Sequence, residues 1–242
     1  MSSKIITDYY NPLLEKSSFI PVLCGERFSK AGSCRQLSPE IGGGYYWVYA
    51  QKDLFDIKIH VFFFHVDFIL TFDIQECISI SRYVSISGEE LNPYRRLSAG
   101  DIQTVVGGKQ NYKAIIHKRI PIHSVGIEIF PTYYEDFLKK QYPDEYFDLS
   151  SAFQSIDQAT EFPAMSKLLF EVENYRGDGI AASLFYEAKV AEAIALVVDN
   201  QKKQAIKPTP SLSKEDKEAL NNVLSYINDH YAFDIPLERL AG

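Results

Sequence analysis

The sequence predicts an α+β protein in which a β-rich region is followed by helices and then by the beginning of an all-α unit. Residues 78–87 alternate apolar and polar side chains with the period of a strand, and after Pro131 the apolar positions repeat with the period of a helix. A polar stretch with two prolines then separates these helices from a further helical pattern at the end of the sequence. We therefore expect a β domain over 1–130, a helical segment over 131–200, a linker over 201–212 and a further unit over 213–242.

Short apolar runs separated by turn residues predict the strands. The run 45–50 follows three glycines, and further runs cover 57–64 and 65–72. Residues 101–106 and 112–117 are joined through Gly107 and Gly108, which predicts a hairpin. Many short strands at close spacing are typical of a sandwich or a barrel.

Helical periodicity predicts three helices after Pro131, over 133–141, 164–175 and 180–199. Beyond the linker, Ser213 and Asp216 have the spacing of a capping box, and residues 220–231 carry one apolar face. Another helix begins at Pro236, but the sequence ends six residues later. We therefore expect 213–242 to be the opening of a larger domain, truncated in this chain.

Composition narrows the class of protein. Apolar residues make up 46% of the 242 residues, which is enough for a sizeable core, and the net charge is 25 − 32 = −7. Because phosphate contacts dominate duplex binding, this acidic chain is not expected to hold DNA by itself. Three unpaired cysteines and the absence of a signal peptide or a long apolar run predict a cytoplasmic protein with no membrane partner.

The C-terminal residues resemble the opening of the DNA-binding domain of AraC-type bacterial transcription regulators, which contains two helix-turn-helix units. The matching residues are Tyr226, Ile227, His230, Tyr231, Leu237, Glu238, Leu240 and Ala241. Pro236 stands where that family commonly has Ser or Thr, so the cap of the second helix departs from the pattern. The resemblance covers about 20 residues by our count and implies promoter DNA as a partner, reached only through the missing C-terminal domain.

Residues 39–138 resemble the sensor domain of the siderophore-regulator branch of the same family. The segments that carry this resemblance are 39–44, 87–91, 117–121 and 126–131, with 184–192 in the long helix. The resemblance implies a cupin-like β-barrel that binds an effector, followed by helices that form a homodimer. It therefore places the intact protein among effector-responsive, DNA-binding transcription regulators, with this chain as the sensing and dimerising part.

Strand alternation suggests which residues bind the effector. Tyr45 and Trp47 share one face of their strand, and Phe62 and Phe64 share a face with His60 on the next. Arg82 shares a face with Ile78, Ile80, Val84 and Ile86. If that face lines the barrel, the guanidinium would suit an anionic effector. Alternatively, Arg82 pairs with a protein acid or faces solvent, and the aromatic side chains form core walls.

The third predicted helix carries the candidate dimer interface. Leu184, Ala188, Ala191 and Ala195 fall on one face, where small side chains permit close helix approach. The alternative is that this face packs against the barrel of the same chain. A two-fold dimer would match paired DNA half-sites.

The sequence predicts neither a metal site, nor another cofactor, nor an enzyme. His60 and His65 are five residues apart and point to opposite faces of one strand, while Pro121 interrupts the path from His117 to His123. Phosphate-loop spacing and a nucleophile elbow are also missing from the sequence. The alternative that stays open is a cupin-type, metal-dependent enzyme acting on a small molecule.

Overall fold

The computed structural model describes residues 4–92, 94–100, 102–108, 110–143, 148–157 and 162–206, together with Leu220 and Val223. The chain forms two compact units, Met1–Gln201 and Lys202–Gly242. Nearly all of the described residues belong to the first unit.

The described strands form two antiparallel sheets. The strands are β1 (Phe19–Val22), β2 (Ser33–Leu37), β3 (Gly42–Gln51), β4 (Phe55–Phe64), β5 (Phe68–Ile74), β6 (Cys77–Ser85), β7 (Gly88–Leu91), β8 (Tyr94–Leu97), β9 (Ile102–Gly107), β10 (Gln110–Ile116) and β11 (Ile122–Ile129). A seven-stranded sheet has the order β1-β2-β3-β4-β11-β6-β9, and a four-stranded sheet has the order β5-β10-β7-β8. The predicted α+β class is confirmed, but the described strands pair as two separate sheets and not as one closed barrel.

The predicted hairpin through Gly107 and Gly108 is wrong. Strand β9 pairs with β6 in the larger sheet, whereas β10 pairs with β5 and β7 in the smaller one. Gly107 has a φ of 135°, a backbone conformation that favours glycine. The two glycines therefore lie where the chain passes from one sheet to the other.

Helices precede and follow the strands. A π-helical stretch (Ile6–Tyr10) leads into α1 (Asn11–Lys16), and a second (Thr132–Leu138) leads into α2 (Lys139–Gln141); α3 (Leu149–Gln154), α4 (Pro163–Asn174) and α5 (Gly179–Ile206) follow. The N-terminal helical segment and α3 were not predicted. Helix α5 continues through 201–206, which was predicted as linker, because Gln, Lys and Ala favour helix and the prolines come only at 208 and 210.

The seven-stranded sheet is covered on both faces. Its outer face packs against the helices, and the core there includes Trp47, Ile57, Ile80, Ile127 and Tyr186. Its inner face packs against the four-stranded sheet and the N-terminal helical segment, and that core includes Tyr10, Tyr46, Phe62, Phe64 and Ile116. Each central strand therefore contributes side chains to two cores. No helix among the described residues is long and apolar enough to span a membrane.

Candidate ligand-binding cavity

A cavity of about 180 Å³, partly open to solvent, lies between the two sheets. Its walls come from the inner faces of both sheets, and the N-terminal helical segment supplies Tyr9, Tyr10, Leu13 and Leu14. Because strand side chains alternate between faces, every second residue of a lining strand points towards the cavity.

The wall formed by β6 and β9 is uncharged and combines polar side chains with Tyr83 and Val105. Ser79 and Ser81 lie on the cavity face of β6, and Gln103 of β9 is the register partner of Ser81. Gln103 is only 5% exposed. Within the described residues, none of these three side chains has a hydrogen-bond partner. The wall therefore offers hydroxyl and amide groups that are free to bind a ligand.

The wall formed by β5 and β10 is apolar. Leu70, Phe72 and Ile74 come from β5, and Tyr112 and Ile116 come from β10. The rings of Phe72 and Tyr112 pack with their centroids 4.9 Å apart. A ligand in the cavity would therefore meet hydrogen-bonding groups on one side and hydrocarbon on the other.

A buried network of four ionisable residues joins the N-terminal segment to the larger sheet. The Tyr10 hydroxyl lies 2.7 Å from Asp56 Oδ2 and 2.9 Å from Glu128 Oε2. Lys58 Nζ donates to Glu128 Oε1. Burial alone would lower the pKa of Lys58, but the combined effects of Glu128, Tyr46 and Asp56 outweigh burial and raise the pKa. Lys58 and Glu128 thus form an ion pair beside the cavity.

The geometry of this network indicates that the Asp56 carboxyl keeps a proton. Tyr10 has one hydroxyl proton for two acceptors, so the second contact needs a proton from a carboxyl group. Burial, and then the charge of Glu128, raise the pKa of Asp56 well above its ordinary value. A neutral Asp56 leaves Lys58 and Glu128 as a charge-balanced pair.

We expect Asp56→Asn to change how stability depends on pH. The pKa of Asp56 is higher in the folded protein than in the unfolded chain, so protonation of Asp56 stabilises the fold. This stabilisation is complete below the unfolded pKa of about 3.9 and is lost as pH rises through the folded pKa. Relative to wild type, the variant should gain stability as pH rises from about 4 towards neutral. Urea denaturation at a series of pH values measures this. Asp53→Asn, at an exposed position in the preceding turn, is the control; a constant difference between Asp56→Asn and wild type would contradict the account.

His60 also lies on the cavity wall. Its Nδ1 shares a hydrogen bond of 2.9 Å with the Ser124 hydroxyl, and its ring centroid is 4.4 Å from that of Tyr46. Burial, and next the charge of Lys58, lower the pKa of His60 to about 3. The imidazole is therefore neutral at neutral pH.

The remaining acid on the cavity wall, Glu90, is also paired. Both Glu90 carboxylate oxygens accept hydrogen bonds of 2.8 Å from Arg95. Arg95 also donates to Asp157, at 3.0 Å, and the Asp157 carboxylate accepts from the backbone N–H of Thr104. This bidentate pair therefore balances the charge of Glu90.

The structure divides the predicted effector-binding residues between the two faces of the larger sheet. Phe62 lines the cavity, and Phe64 lies in the same inner core, where its ring stacks on Phe68 with centroids 4.1 Å apart. Tyr45, Trp47 and Arg82 lie on the outer face. Because Tyr46 of the same strand lines the cavity, alternation turns Tyr45 and Trp47 away from it.

The outer-face residues have other surroundings. The Trp47 indole donates a 2.9 Å hydrogen bond to the Ser29 carbonyl, and the guanidinium of Arg27 lies 4.4 Å from the centroid of the Tyr45 ring. Arg82 is half-buried, and its Nε is buried without a hydrogen-bond partner among the described residues. The expectation that Arg82 is a charge in the cavity wall is therefore corrected, because Ser81 and Tyr83 occupy that face of β6.

The four histidines within the described ranges have separate partners. His65 contacts the Pro39 carbonyl, His117 contacts Ser87 and Glu89, and His123 contacts Glu173 of α4. Within the described ranges, no three His, Cys, Asp or Glu side chains come together as a possible metal site. The three cysteines are free thiols.

The predicted dimer residues lie on the uncovered side of α5. Leu184, Ala188, Ala191 and Ala195 are all exposed. The opposite side of the helix, which includes Tyr186, Val190 and Val197, is buried in the outer core. The residues predicted to belong to the DNA-binding unit lie outside the described residues; they are Tyr226, Ile227, Tyr231, Leu237 and Leu240.

Several cavity residues were missed by the sequence analysis, namely Tyr10, Lys58, Ser79, Ser81, Gln103 and Glu128. The alternation of residues 78–87 did contain the signal for the serines, because it places Ser79 and Ser81 together on the face opposite Ile78 and Ile80. Predicting that Tyr10 lines the cavity would have required the N-terminal segment to be identified as a helix that packs against the sheet.

No family model and no curated protein sequence matches the chain. Among solved structures, it is similar to the AraC-like transcriptional activator CuxR (12% identity, 87% of this chain, 74% of that chain, TM-score 0.33). It is also similar to the DMSP lyase DddQ from Ruegeria pomeroyi DSS-3 (17% identity, 53% of this chain, 64% of that chain, TM-score 0.27). KdgF from Halomonas sp. is similar as well (12% identity, 35% of this chain, 76% of that chain, TM-score 0.27). These distant similarities do not decide between a regulator and an enzyme.

Proposed function

We propose that this chain is the effector-sensing part of a transcription regulator and that its effector binds in the cavity between the two sheets. The observation that carries the proposal is the division of the cavity into one wall of unpartnered polar groups and one apolar wall. Binding pockets for small molecules commonly combine an apolar lining with a few convergent polar groups. Phe62, which the sequence analysis selected, contributes to this cavity.

The outer side of α5 supports dimerisation as the second part of the proposal. Ile180 is 79% exposed and Leu184 is 61% exposed, and the exposed alanines at 188, 191 and 195 continue the same apolar stripe. Because the other side of α5 is already buried in the outer core, the stripe is available to a second copy of the chain. A two-fold dimer would present two DNA-binding units at a fixed spacing.

The link to DNA rests on the resemblance of residues 213–242 to the AraC-type DNA-binding domain. An effector can control DNA binding only if it binds the two arrangements of the dimer with unequal affinity. Helix α5 packs against Trp47 and Tyr49 of β3, and the neighbouring Tyr46 lines the cavity. Strand β3 and helix α5 thus give a direct path from the cavity to the proposed dimer interface.

The proposal is tested by selecting genomic DNA fragments with the full-length protein. We expect the recovered fragments to share paired half-sites whose centres are about one helical turn, ~34–36 Å, apart. Leu184→Arg should yield a monomer in analytical ultracentrifugation and bind these fragments at least about tenfold more weakly, because the avidity of two linked sites is lost. Leu23→Arg, at a loop position that is 97% exposed, is the control and should remain dimeric. Failure to enrich any sequence would overturn the regulatory role.

A further inference from the structure

We infer that the cavity takes an electrically neutral, single-ring molecule that carries a hydroxyl group, which makes phenols its ligand class. This inference rests on the proposed function, because it takes the cavity to be the effector site. Three observations support it: the volume of the cavity, the pairing of its charged residues, and the different chemistry of its two walls.

The volume sets the size of the ligand. The cavity measures about 180 Å³. An engineered protein cavity of about 150 Å³ with an apolar lining holds one benzene molecule, so this cavity has room for one ring with small substituents. Drug-sized ligands occupy pockets of about 300–1,000 Å³, so the volume favours a smaller ligand.

The charges favour a neutral ligand. Lys58, Glu90 and Glu128 are the ionised residues that line the cavity, and each has a partner of opposite charge. His60, the remaining ionisable imidazole on the wall, is neutral at neutral pH. A carboxylate or an ammonium group entering this site would lose its hydration without gaining a free counter-charge, which is costly. The guanidinium of Arg82, which was expected to anchor an anion, lies on the outer face of the sheet.

The two walls favour a ring with one polar edge. Ser81 and Gln103 lie side by side across the β6–β9 ladder, and Ser79 is the next cavity-facing residue on β6. Hydroxyl and amide groups both donate and accept hydrogen bonds, and a phenol hydroxyl does the same. The opposite wall, with Phe72 and Leu70, would cover the face and the far edge of the ring.

The test compares three probes by isothermal titration calorimetry at pH 7 with the chain as it stands. The probes are 4-methylphenol, toluene, which has the same ring without the hydroxyl, and benzoate, which carries a charge. The hydroxyl of 4-methylphenol titrates near 10, as in tyrosine, so this probe is neutral in the assay. We expect 4-methylphenol to bind at least about tenfold more tightly than toluene, because toluene leaves the polar wall unpaired. Benzoate should bind most weakly.

Two variants assign the preference to the polar wall. With Gln103→Leu, the preference for 4-methylphenol over toluene should fall to within about threefold, because a hydrogen bond to the phenol hydroxyl is lost. Thr104→Val is the matched control, since Thr104 is adjacent on β9, points away from the cavity and has a hydroxyl oxygen without a partner among the described residues. It should keep the wild-type ratio. The comparison of the three probes uses the wild-type chain, so its outcome does not depend on whether a variant folds.

A third variant distinguishes an error in the proposed ligand class from an error in the proposed binding site. Ser81→Leu fills the cavity from the middle of β6 and should abolish binding of 4-methylphenol. If benzoate binds more tightly than 4-methylphenol and Ser81→Leu abolishes benzoate binding, the neutral class is wrong while the cavity remains the binding site. If Ser81→Leu leaves the binding of every probe unchanged, both the ligand class and the proposed binding site are overturned.

Discussion

Replacing Trp47 with alanine is expected to lower the free energy of unfolding by about 3–5 kcal/mol. Trp47 is fully buried in the outer core, where its ring lies 6.3 Å from that of Phe28 and 5.9 Å from that of Tyr186. The substitution would leave a cavity between β3 and α5 and would remove the hydrogen bond to the Ser29 carbonyl. Gly32 packs so closely against the indole that a Cβ there would lie 2.4 Å from it.

Urea denaturation followed by circular dichroism measures this loss, because Trp47 is the only tryptophan and its fluorescence disappears with it. Tyr94→Ala is the control; Tyr94 is 74% exposed, and its loss should change stability by no more than about 0.5 kcal/mol. A change below about 1 kcal/mol for Trp47→Ala would contradict the close packing of the indole in the outer core.

Lys58→Met is expected to destabilise the protein by about 3–5 kcal/mol at neutral pH. The side chains of Lys58 and Glu128 are 19% and 12% exposed, so the variant would leave a largely buried carboxylate without its cation. Denaturation at pH 7 gives the size of the effect. Removing both charges, in Lys58→Met with Glu128→Gln, should restore most of the stability, because a buried ion pair contributes little over a neutral replacement.

Lys167→Met is the matched control for Lys58→Met. Lys167 forms an exposed ion pair with Glu171 at 3.9 Å, and its loss should cost no more than about 0.5 kcal/mol. Equal losses for the two lysine variants would contradict the buried ion pair. A double variant no more stable than Lys58→Met would show that Lys58 acts through packing.

The sequence predicted the class of the fold better than the direction of its side chains. Alternation along 78–87 and the apolar runs at 45–50 and 57–64 correctly identified strands. Alternation alone cannot say which face is inside when both faces of a sheet are covered. The run from Tyr45 to Tyr49 is apolar at every position because it supplies two cores, so Trp47 and Tyr46 could not be assigned to their faces.

The cavity was harder to predict because its polar residues meet through tertiary structure. Asp56 and Glu128 are far apart in sequence and become register partners only when β4 and β11 pair. Tyr10 reaches them from a helical segment that the sequence analysis did not identify. The serines of β6 were visible in the pattern, but serine on one face of a strand usually indicates solvent exposure, whereas Ser79 and Ser81 line the cavity.

The central claim is that the effector acts from the cavity, and one measurement tests it directly. Fluorescence anisotropy would follow binding of the selected DNA fragment by the full-length protein, with and without 4-methylphenol, for wild type, Ser81→Leu and Val84→Leu. Val84 lies on β6 and is exposed on the other face of the strand, so its substitution leaves the cavity unchanged. We predict that 4-methylphenol shifts the DNA affinity of wild type and of Val84→Leu but not that of Ser81→Leu. An undiminished shift in Ser81→Leu would contradict the account.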